Sequence, residues 1–278
     1  MLPYFEQQFD LSNKRFVSAC DELPLWSSYF GSTLLDKIIF KPNINILDIG
    51  SGTGFPLIEI AQRFGNTCFA YGIDPWSRAV ERANMKIKEM HLTNIKFIEG
   101  KAEELPFDND FFDLVISNNG INNVADPVTV LKECNRVSKK DAQFIFTVNL
   151  PETMHEFYMV FEEVLKDNLL YDEITKLKEH ILAKRKPIET NINMIKESGF
   201  KLSDIITDKF YMKFINGTAM LNYHFIKYAF LESWKNIVPE KQCGDIFIQI
   251  EEKLNKIAFR GKEICLTIPY ACFDCRKE

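Results

Sequence analysis

The sequence predicts an α/β fold built on a mostly parallel sheet. Short apolar runs alternate with helical patterns from about residue 40 to about residue 150, which is typical of strand–helix–strand units. The first apolar run ends in three glycines at alternate positions, and the second ends in an acidic residue followed by proline. With 278 residues, 46% of them hydrophobic, the chain is long enough to bury a full core around such a sheet.

A glycine-rich turn follows the first predicted strand. The run Ile44–Ile49 is typical of a buried parallel strand, and Gly50-Ser51-Gly52-Thr53-Gly54 comes directly after it. Such a turn lets backbone N–H groups approach a ligand because no Cβ intervenes. The dinucleotide fingerprint needs glycine at the first, third and sixth places, but the sixth place counted from Gly50 is Phe55. The phosphate loop of nucleotide hydrolases matches less well, since no Gly-Lys-Ser/Thr follows.

An acidic residue ends the second predicted strand, which covers residues 68–73. Asp74 lies 26 residues beyond Asp48, in the range where a second strand presents a carboxylate to ribose hydroxyls. A carboxylate only accepts hydrogen bonds, so it can take both hydroxyl protons. The alternative is that Asp74 forms a cap or an Asx turn before Pro75. The two roles can coexist.

Two further strands and a charged turn complete the first half of the pattern. Ile95–Glu99 and residues 111–117 are predicted as strands, and Gly-Lys-Ala-Glu-Glu-Leu-Pro-Phe at 100–107 joins them. The Asp-x-Gly-x-Gly-x-Gly string at 48–54, Asp74 and the 100–107 turn resemble the motifs of class I S-adenosylmethionine-dependent methyltransferases. The turn and the following Phe-Asp-Leu-Val are most similar to the ubiquinone/menaquinone C-methyltransferase-like branch.

This resemblance implies a Rossmann-like, seven-stranded, mostly parallel sheet with an antiparallel last strand. It also implies that S-adenosylmethionine is the cofactor and S-adenosylhomocysteine the product of methyl transfer to a small molecule. Ligands of parallel sheets bind at the carboxyl ends of the strands, and the expected cofactor-binding residues are Tyr29, Asp48, Gly50, Ser51, Gly52, Asp74, Pro75, Ala102, Glu103 and Asn118.

Three of these assignments have open alternatives. The related branch has Asp before Ala in the 100–107 turn, where it binds the adenine amino group, but this chain has Lys101. An ammonium group cannot accept that hydrogen bond, so the contact moves to Glu103 or is lost. Asn118 either binds the methionine part of the cofactor or caps a turn. Tyr29 either covers the methionine part or packs in the core.

The candidates for a general base are two of the four histidines. The methyl group is already activated on a cationic sulfur, so alignment and exclusion of water supply much of the rate, and no strongly marked catalytic residue is needed. His155 begins the helix after the fifth strand, and His224 lies in a predicted cap. Histidine titrates near neutral pH and is suited to proton transfer. A structural role for both is the alternative.

The pattern becomes mainly helical after Pro151. Helical spacing covers residues 153–198. Phe200–Phe214 is predicted as a strand, with a bend or a break into two strands as the alternative, and residues 264–268 are predicted as the last strand. The intervening residues predict helices at 218–237 and 245–259. We expect N-terminal helices at 1–40, a methyltransferase core at 41–215 and 260–278, and a helical cap inserted at 216–259.

Composition and charge restrict the remaining function classes. The formal net charge of −5 disfavours a nucleic-acid surface, and no Asn/Asp-Pro-Pro-aromatic string follows the fourth strand, so a nucleic-acid methyltransferase is the weaker alternative. A regulatory protein that binds S-adenosylmethionine without turnover is the other. We expect no membrane span, no signal peptide, no metal and a cytoplasmic location. Cys272 and Cys275 form an isolated Cys-x-x-Cys that is a weak metal or redox signal. The oligomeric state stays open.

Overall fold

The computed structural model describes residues 2–6, 9–21 and 25–278. The strands are β1 (Ile44–Ile49), β2 (Cys68–Asp74), β3 (Ile95–Glu99), β4 (Phe112–Asn118), β5 (Ser138–Asn149), β6 (Phe200–Phe214) and β7 (Ile264–Lys277). The helices are α1 (Pro3–Glu6), α2 (Lys14–Asp21), α3 (Leu25–Lys37), α4 (Leu57–Phe64), α5 (Ser77–Glu89), α6 (Pro127–Val137), α7 (His155–Asp167), α8 (Tyr171–Lys184), α9 (Ile188–Glu197), α10 (Gly217–Asn222), α11 (His224–Ile226), α12 (Glu232–Lys235) and α13 (Glu240–Gly261). Residues 1, 7–8 and 22–24, which fall in the predicted N-terminal helical segment, lie outside the described residues.

The seven strands form one sheet in the order β3-β2-β1-β4-β5-β7-β6. The pairs from β3 to β5 are parallel, and β7 runs antiparallel to β5. The predicted seven-stranded, mostly parallel sheet with an antiparallel last strand is therefore confirmed. β2 and β3 lie on one side of β1, and β4 and β5 lie on the other. The direction in which strands are added therefore reverses between β1 and β4. A ligand crevice is expected at the carboxyl ends of these two strands.

Both faces of the sheet are covered by apolar side chains. Residues of one strand alternate between the two faces, and β1 shows this directly. Leu47 and Ile49 belong to one buried cluster, together with Phe144. Ile44 and Ile46 belong to a second buried cluster. Burial on both faces explains why β1 is an almost continuous apolar run rather than an alternating one.

Some predicted bounds are wrong in the second half of the chain. The last strand continues to Lys277 instead of ending at residue 268, because Pro269, which cannot donate to the sheet, lies just outside the run Tyr270 to Arg276 that pairs with β5. The predicted helix 218–237 is interrupted at Tyr223, whose backbone is extended, and contains a π-helical segment at Lys227–Leu231. β6 is one strand of 15 residues.

The chain divides into two compact units. The larger unit comprises residues 11–150, 185–208 and 270–278, and the smaller comprises 1–10, 151–184 and 209–269. In the smaller unit Trp234 is fully buried, stacks on Phe157 at 4.1 Å between ring centroids, and donates from Nε1 to Tyr158 Oη at 3.0 Å. The expected cap, residues 216–259, falls in this unit, and its role as a cap stays a prediction. No helix among residues 2–6, 9–21 and 25–278 has the length and apolar character needed to span a membrane.

Candidate functional site

The glycine-rich turn is folded back onto the end of β2. Gly50, Gly52 and Gly54 have φ angles of 72°, 51° and 104°, a region that strongly favours glycine. The N–H groups of Gly50 and Ser51 donate to the carbonyl oxygen of Ile73 at 2.9 and 3.1 Å. These bonds hold the turn at the carboxyl edge of the sheet, where the crevice between β1 and β4 opens.

The glycines of this turn serve different purposes. A Cβ on Gly50 would lie 3.1 Å from Gly120 Cα, and a Cβ on Gly54 would lie 2.6 Å from Ile58 Cδ1, so both positions are needed for internal packing. A Cβ on Gly52 would meet no atom within 4 Å. The space beside Gly52 is therefore available to a ligand that approaches the backbone.

Asp74 fixes the turn and retains capacity to accept further hydrogen bonds. Its Oδ2 accepts the N–H of Gly52 and its Oδ1 accepts the N–H of Trp76, each at 2.8 Å. The bond to Trp76 is the Asx turn considered as the alternative role. A carboxylate has about four acceptor sites, so two remain for ligand hydroxyls. Burial raises the pKa of Asp74, and the two backbone donors oppose this effect.

Asp48 is the most unusual residue of this edge. It is 0% exposed, and neither of its carboxylate oxygens has a hydrogen-bond partner. The hydroxyl of Ser51 is also buried without a partner. Burial, with a further contribution from nearby Asp74, raises the pKa of Asp48 well above its usual value. Buried polar groups are almost always hydrogen-bonded in folded proteins, so these atoms indicate a missing donor, and a cationic ligand with hydroxyl and amino groups fits them.

The 100–107 turn is held by two residues that the sequence analysis missed. Arg136 of α6 donates from Nη2 to the carbonyl oxygen of Leu105 at 3.0 Å and from Nη1 to that of Phe107 at 2.8 Å. Glu133 accepts the N–H of Leu105 at 2.9 Å and pairs with Arg136 at 2.7 Å. Their i, i+3 spacing on a predicted helix was the available signal, but it does not reveal a partner in a distant loop.

The residues expected to contact adenine occupy different environments in this turn. Ala102 is buried in the apolar cluster of one sheet face, Glu103 is half-buried, and Lys101 is exposed. The N–H of Gly100 donates to the carbonyl oxygen of Asp74 at 3.1 Å, which places the turn beside the end of β2. A half-buried carboxylate at Glu103 fits the expectation that the amino contact moves to this residue.

Asn118 uses its side-chain amide within the protein. Its Nδ2 donates to the carbonyl oxygen of Ser27 in α3, and its Oδ1 accepts from Thr147 Oγ1, both at 3.0 Å. Asn118 therefore joins α3 to the ends of β4 and β5, and its direct role in cofactor binding stays a prediction. Tyr29 lies on the same helix and is 48% exposed, so it is not a core residue.

An amide cluster follows β4 and was not predicted. Asn119 Oδ1 accepts from Asn122 Nδ2 at 2.8 Å and from the N–H of Asn149 at 3.2 Å. Asn122 also donates to the side chain of Asn149. The cluster lies at the carboxyl ends of β4 and β5 and joins them by hydrogen bonds. Pro75, the remaining predicted residue, is exposed directly after Asp74.

Both candidate histidines lie in the smaller unit, whereas the candidate cofactor residues lie in the larger one. His155 begins α7, and its Nδ1 is 3.5 Å from Glu156 Oε2. His224 begins α11 and contacts the rings of Phe9 and Tyr228, each with centroids 5.4 Å apart. Burial, with a smaller effect of a neighbouring lysine, lowers the pKa of His224, so the neutral form that can accept a proton prevails at pH 7.

The Cys-x-x-Cys pair does not form a joint site. Cys272 and Cys275 are three residues apart on β7, so they face opposite sides of the sheet and belong to different buried clusters. In the part of the chain that the structure describes, no group of three or more His, Cys, Asp or Glu side chains is arranged to hold a metal ion.

The geometry and the sequence agree on the class of protein. Residues 40–209, more than half of the chain, match the family model of a methyltransferase domain. The chain belongs to this family, and the resemblance to class I S-adenosylmethionine-dependent methyltransferases is confirmed, with S-adenosylmethionine as the cofactor of the family.

Individual relatives and a solved structure are similar to parts of this chain. The chain is 30% identical over 147 residues to (+)-O-methylkolavelool synthase of Herpetosiphon aurantiacus, which covers 50% of this chain and 51% of that protein. It is 32% identical over 164 residues to a demethylmenaquinone methyltransferase of Geobacillus kaustophilus, covering 55% and 69%. The chain spans about half the length of the first curated relatives it matches. The YcgJ protein of Bacillus subtilis shares the fold, with a TM-score of 0.60, 16% identity, and coverage of 90% of this chain and 98% of that one.

Proposed function

We propose that this protein transfers the methyl group of S-adenosylmethionine to a small-molecule acceptor. The observation that carries the proposal is the pair of buried groups beside the glycine turn, the Asp48 carboxylate and the Ser51 hydroxyl, which have no hydrogen-bond partner in the protein. A cationic, hydroxyl-bearing ligand supplies both the donors and the positive charge that these atoms lack. Family membership provides independent support for the cofactor.

Different residues of the larger unit would contact different parts of the cofactor. Asp74 would accept the ribose hydroxyls with the acceptor sites that Gly52 and Trp76 leave free. The turn backbone at Gly52 would lie against the ligand, since no atom of the protein fills that space. Glu103 and the backbone of Ala102 would contact adenine. Asp48 would stabilise the cationic end by charge.

The contribution of this chain to the reaction is alignment and exclusion of water. Bound S-adenosylmethionine supplies a methyl group that is already activated for in-line displacement. Positioning of the two reactants is worth up to about 7–11 kcal/mol of the barrier, and the hydrogen-bonded edge formed by Asn119, Asn122 and Asn149 suits this task. His155 and His224 remain the proposed candidates for removing a proton from an acceptor that needs it.

The class of acceptor is supported by charge and by the relatives. The net charge of −5 is unfavourable for a polyanionic substrate. The two named relatives carry different acceptors or products in their names, demethylmenaquinone and an O-methylated kolavelool. We infer a small organic acceptor, with methylation at carbon or oxygen, and favour it over nucleic acid.

The first experiment measures cofactor binding by titration calorimetry with S-adenosylhomocysteine. We expect binding by the wild-type protein and at least tenfold weaker binding by Asp74→Ala, since charge-assisted hydrogen bonds are worth about 1.5–3 kcal/mol. Asp36→Ala, which removes an exposed carboxylate from the end of α3, is the matched control and should bind normally. Equal affinities for both variants, or no binding by the wild type, would contradict the proposal.

The second experiment separates turnover from regulation. The protein is incubated with S-adenosylmethionine and a panel of quinols, phenols and alcohols, and release of S-adenosylhomocysteine is measured by mass spectrometry. Release that depends on one acceptor supports the enzyme. Tight binding without release across the panel supports the alternative, a regulatory protein that binds the cofactor without turnover.

A further inference from the structure

The C-terminal end of α13 carries a group of cations that we call the basic tip, defined as residues 256–262. Lys256, Arg260 and Lys262 are exposed, and no carboxylate within residues 2–6, 9–21 and 25–278 lies at ion-pair distance from them. Lys253, earlier on the same helix, differs because it pairs with two carboxylates. The helix dipole favours cations at this end, but it does not account for the apolar side chains that accompany them.

Two exposed apolar side chains lie between these cations in the sequence. Phe259 is 91% exposed and Ile257 is 47% exposed. The buried residues of α13, among them Leu254 and Ala258, define the face of the helix that packs in the core. Phe259 comes five residues after Leu254, about 140° around the helix, so it points away from that face. Its exposure is therefore not that of a side chain at the margin of the core.

An open groove shows that charged and apolar groups of the tip share one side of the helix. The groove has a volume of about 620 Å³ and is lined by Glu252, Asn255, Lys256, Phe259 and Arg260. Glu252 is the acidic residue of this lining, so the three cations of the tip face a single carboxylate. This local excess of positive charge is opposite in sign to the net charge of −5 of the whole chain.

A further exposed apolar side chain comes from the connection between β6 and α10. Ile215 is 72% exposed. Before it, Lys213 Nζ pairs with Glu263 Oε1 at 2.8 Å, and after it the N–H of Thr218 donates to Asn255 Oδ1 at 3.2 Å. These contacts hold the connection alongside the last turns of α13, so Ile215 adds to the apolar surface near the tip.

We propose that the basic tip docks on the anionic surface of a lipid bilayer, with Phe259 inserted among the headgroups and the three cations held against them. A bilayer interface accepts aromatic and aliphatic side chains next to lysine and arginine, because the apolar groups enter the acyl boundary while the cations stay at the anionic headgroups. The proposal concerns attachment of the protein to a membrane surface, and it does not depend on the proposed function.

The composition of the tip fits a bilayer better than a protein or a nucleic acid. The centre of a protein interface is depleted in lysine, whereas the exposed apolar side chains of the tip alternate with cations along the chain. A nucleic-acid surface is typical of a basic domain, whereas this chain has a net charge of −5. A second copy of the chain and a nucleic acid are therefore the two partners that the experiment must separate from a bilayer.

The test is sedimentation of the 278-residue protein with vesicles of phosphatidylcholine, alone or mixed with phosphatidylglycerol. We expect binding to the mixed vesicles only, and weaker binding as NaCl is added, because salt screens the attraction. Phe259→Ser should bind the mixed vesicles at least tenfold more weakly. Lys256→Gln and Arg260→Gln should each bind about fivefold more weakly.

Two control variants change similar side chains elsewhere in the smaller unit. Lys241→Gln removes an exposed cation from the first turn of the same helix, and Tyr171→Ser removes a 62% exposed ring from the start of α8. Both should bind within about twofold of wild type. Since all of these side chains are exposed, every variant should keep the wild-type melting temperature.

Insertion of the tip is read directly from a tryptophan placed in it. The fluorescence of Phe259→Trp, after subtraction of the wild-type signal, should shift to shorter wavelength with the mixed vesicles. Lipids brominated in their acyl chains should quench it. A signal that neither shifts nor is quenched would overturn the insertion of this side chain.

The remaining outcomes each decide the proposal. Equal sedimentation with the two kinds of vesicle, or unchanged binding by Phe259→Ser, would overturn it. A lower mass of Phe259→Ser at sedimentation equilibrium with vesicle binding intact would assign the tip to a second copy, and single-stranded RNA that displaces the vesicles would assign it to a nucleic acid; either result overturns the proposal. The vesicle assay contains no cofactor, so its result is independent of S-adenosylmethionine binding.

Discussion

Replacement of Asp48 by Asn should weaken cofactor binding while it stabilises the free protein. The side chain keeps its size, but it loses the carboxyl group that is buried without a partner. If the carboxylate accepts hydrogen bonds from a cationic ligand, its loss costs about 1.5–3 kcal/mol. This free energy corresponds to an affinity lower by roughly 10- to 150-fold.

The sign of the stability change follows from the pKa of Asp48. Burial and Asp74 raise it well above its usual value, so the folded protein holds this proton more tightly than the unfolded chain. Stability then falls as the pH rises from the unfolded pKa towards the folded one. The Asn side chain does not titrate, so the variant avoids this loss, and its advantage should be small at acidic pH and grow towards about 1–3 kcal/mol at alkaline pH.

Two measurements check this reasoning. Titration calorimetry with S-adenosylhomocysteine gives the affinity, and chemical denaturation between about pH 5 and pH 8 gives the free energy of unfolding. The wild type should also release a proton on binding, seen as a dependence of the heat on the buffer. A variant that binds as tightly as wild type, or that is less stable at pH 8 than wild type, would refute the assignment of Asp48.

The remaining predictions concern the turn, the thiols and one histidine. Gly52→Ala should lower cofactor affinity at least tenfold, while backbone strain costs about 1–3 kcal/mol of stability. In Gly120→Ala the Cβ would lie 2.6 Å from a backbone oxygen, so this variant should instead strongly lower the free energy of unfolding measured by denaturation. Burial raises the pKa of Cys272 to about 12, and burial also raises the pKa of Cys275. Iodoacetamide at pH 8 should therefore label both thiols only after unfolding, as read by mass spectrometry. If His224 is the base, His224→Ala should lower kcat by about 10²–10⁴-fold without changing the KM for the cofactor. The activity of the wild type should then fall at a pH below 6.5, because the pKa of His224 is lowered. An unchanged kcat would assign the ring a packing role.

The first half of the fold was predictable because its signals are local. β1 and β3 have the predicted bounds, since apolar runs stop at glycine or charged turn residues. The prediction of β7 was wrong at Pro269. Proline lacks a backbone N–H, so it ends a strand only where the neighbouring strand needs that donor, and the position of the neighbouring strand is not visible in the sequence. The interruption at Tyr223 left no periodicity signal, as the apolar spacing continues through it.

The residues of the candidate site were also predictable only where the signal is local in the sequence. The glycine turn and Asp74 were predictable from a motif that is contiguous along one strand–turn–helix unit. The contacts of Arg136 with the 100–107 turn join residues about 30 positions apart, and single-sequence patterns do not reveal such pairs. The burial of Asp48 was implied by its strand, but the absence of a partner for its oxygens is a property of the folded protein only.

The position of β7 between β5 and β6 has a consequence for biosynthesis. As the chain leaves the ribosome, β6 emerges about 60 residues before β7, and it has no neighbour in the sheet until β7 arrives. Until then the edge of β5 stays unpaired, and such edges promote association with other chains. A frameshift or nonsense change within β7 would therefore remove an interior strand and separate β6 from the rest of the sheet, and nascent chains stalled at that point should depend strongly on chaperones.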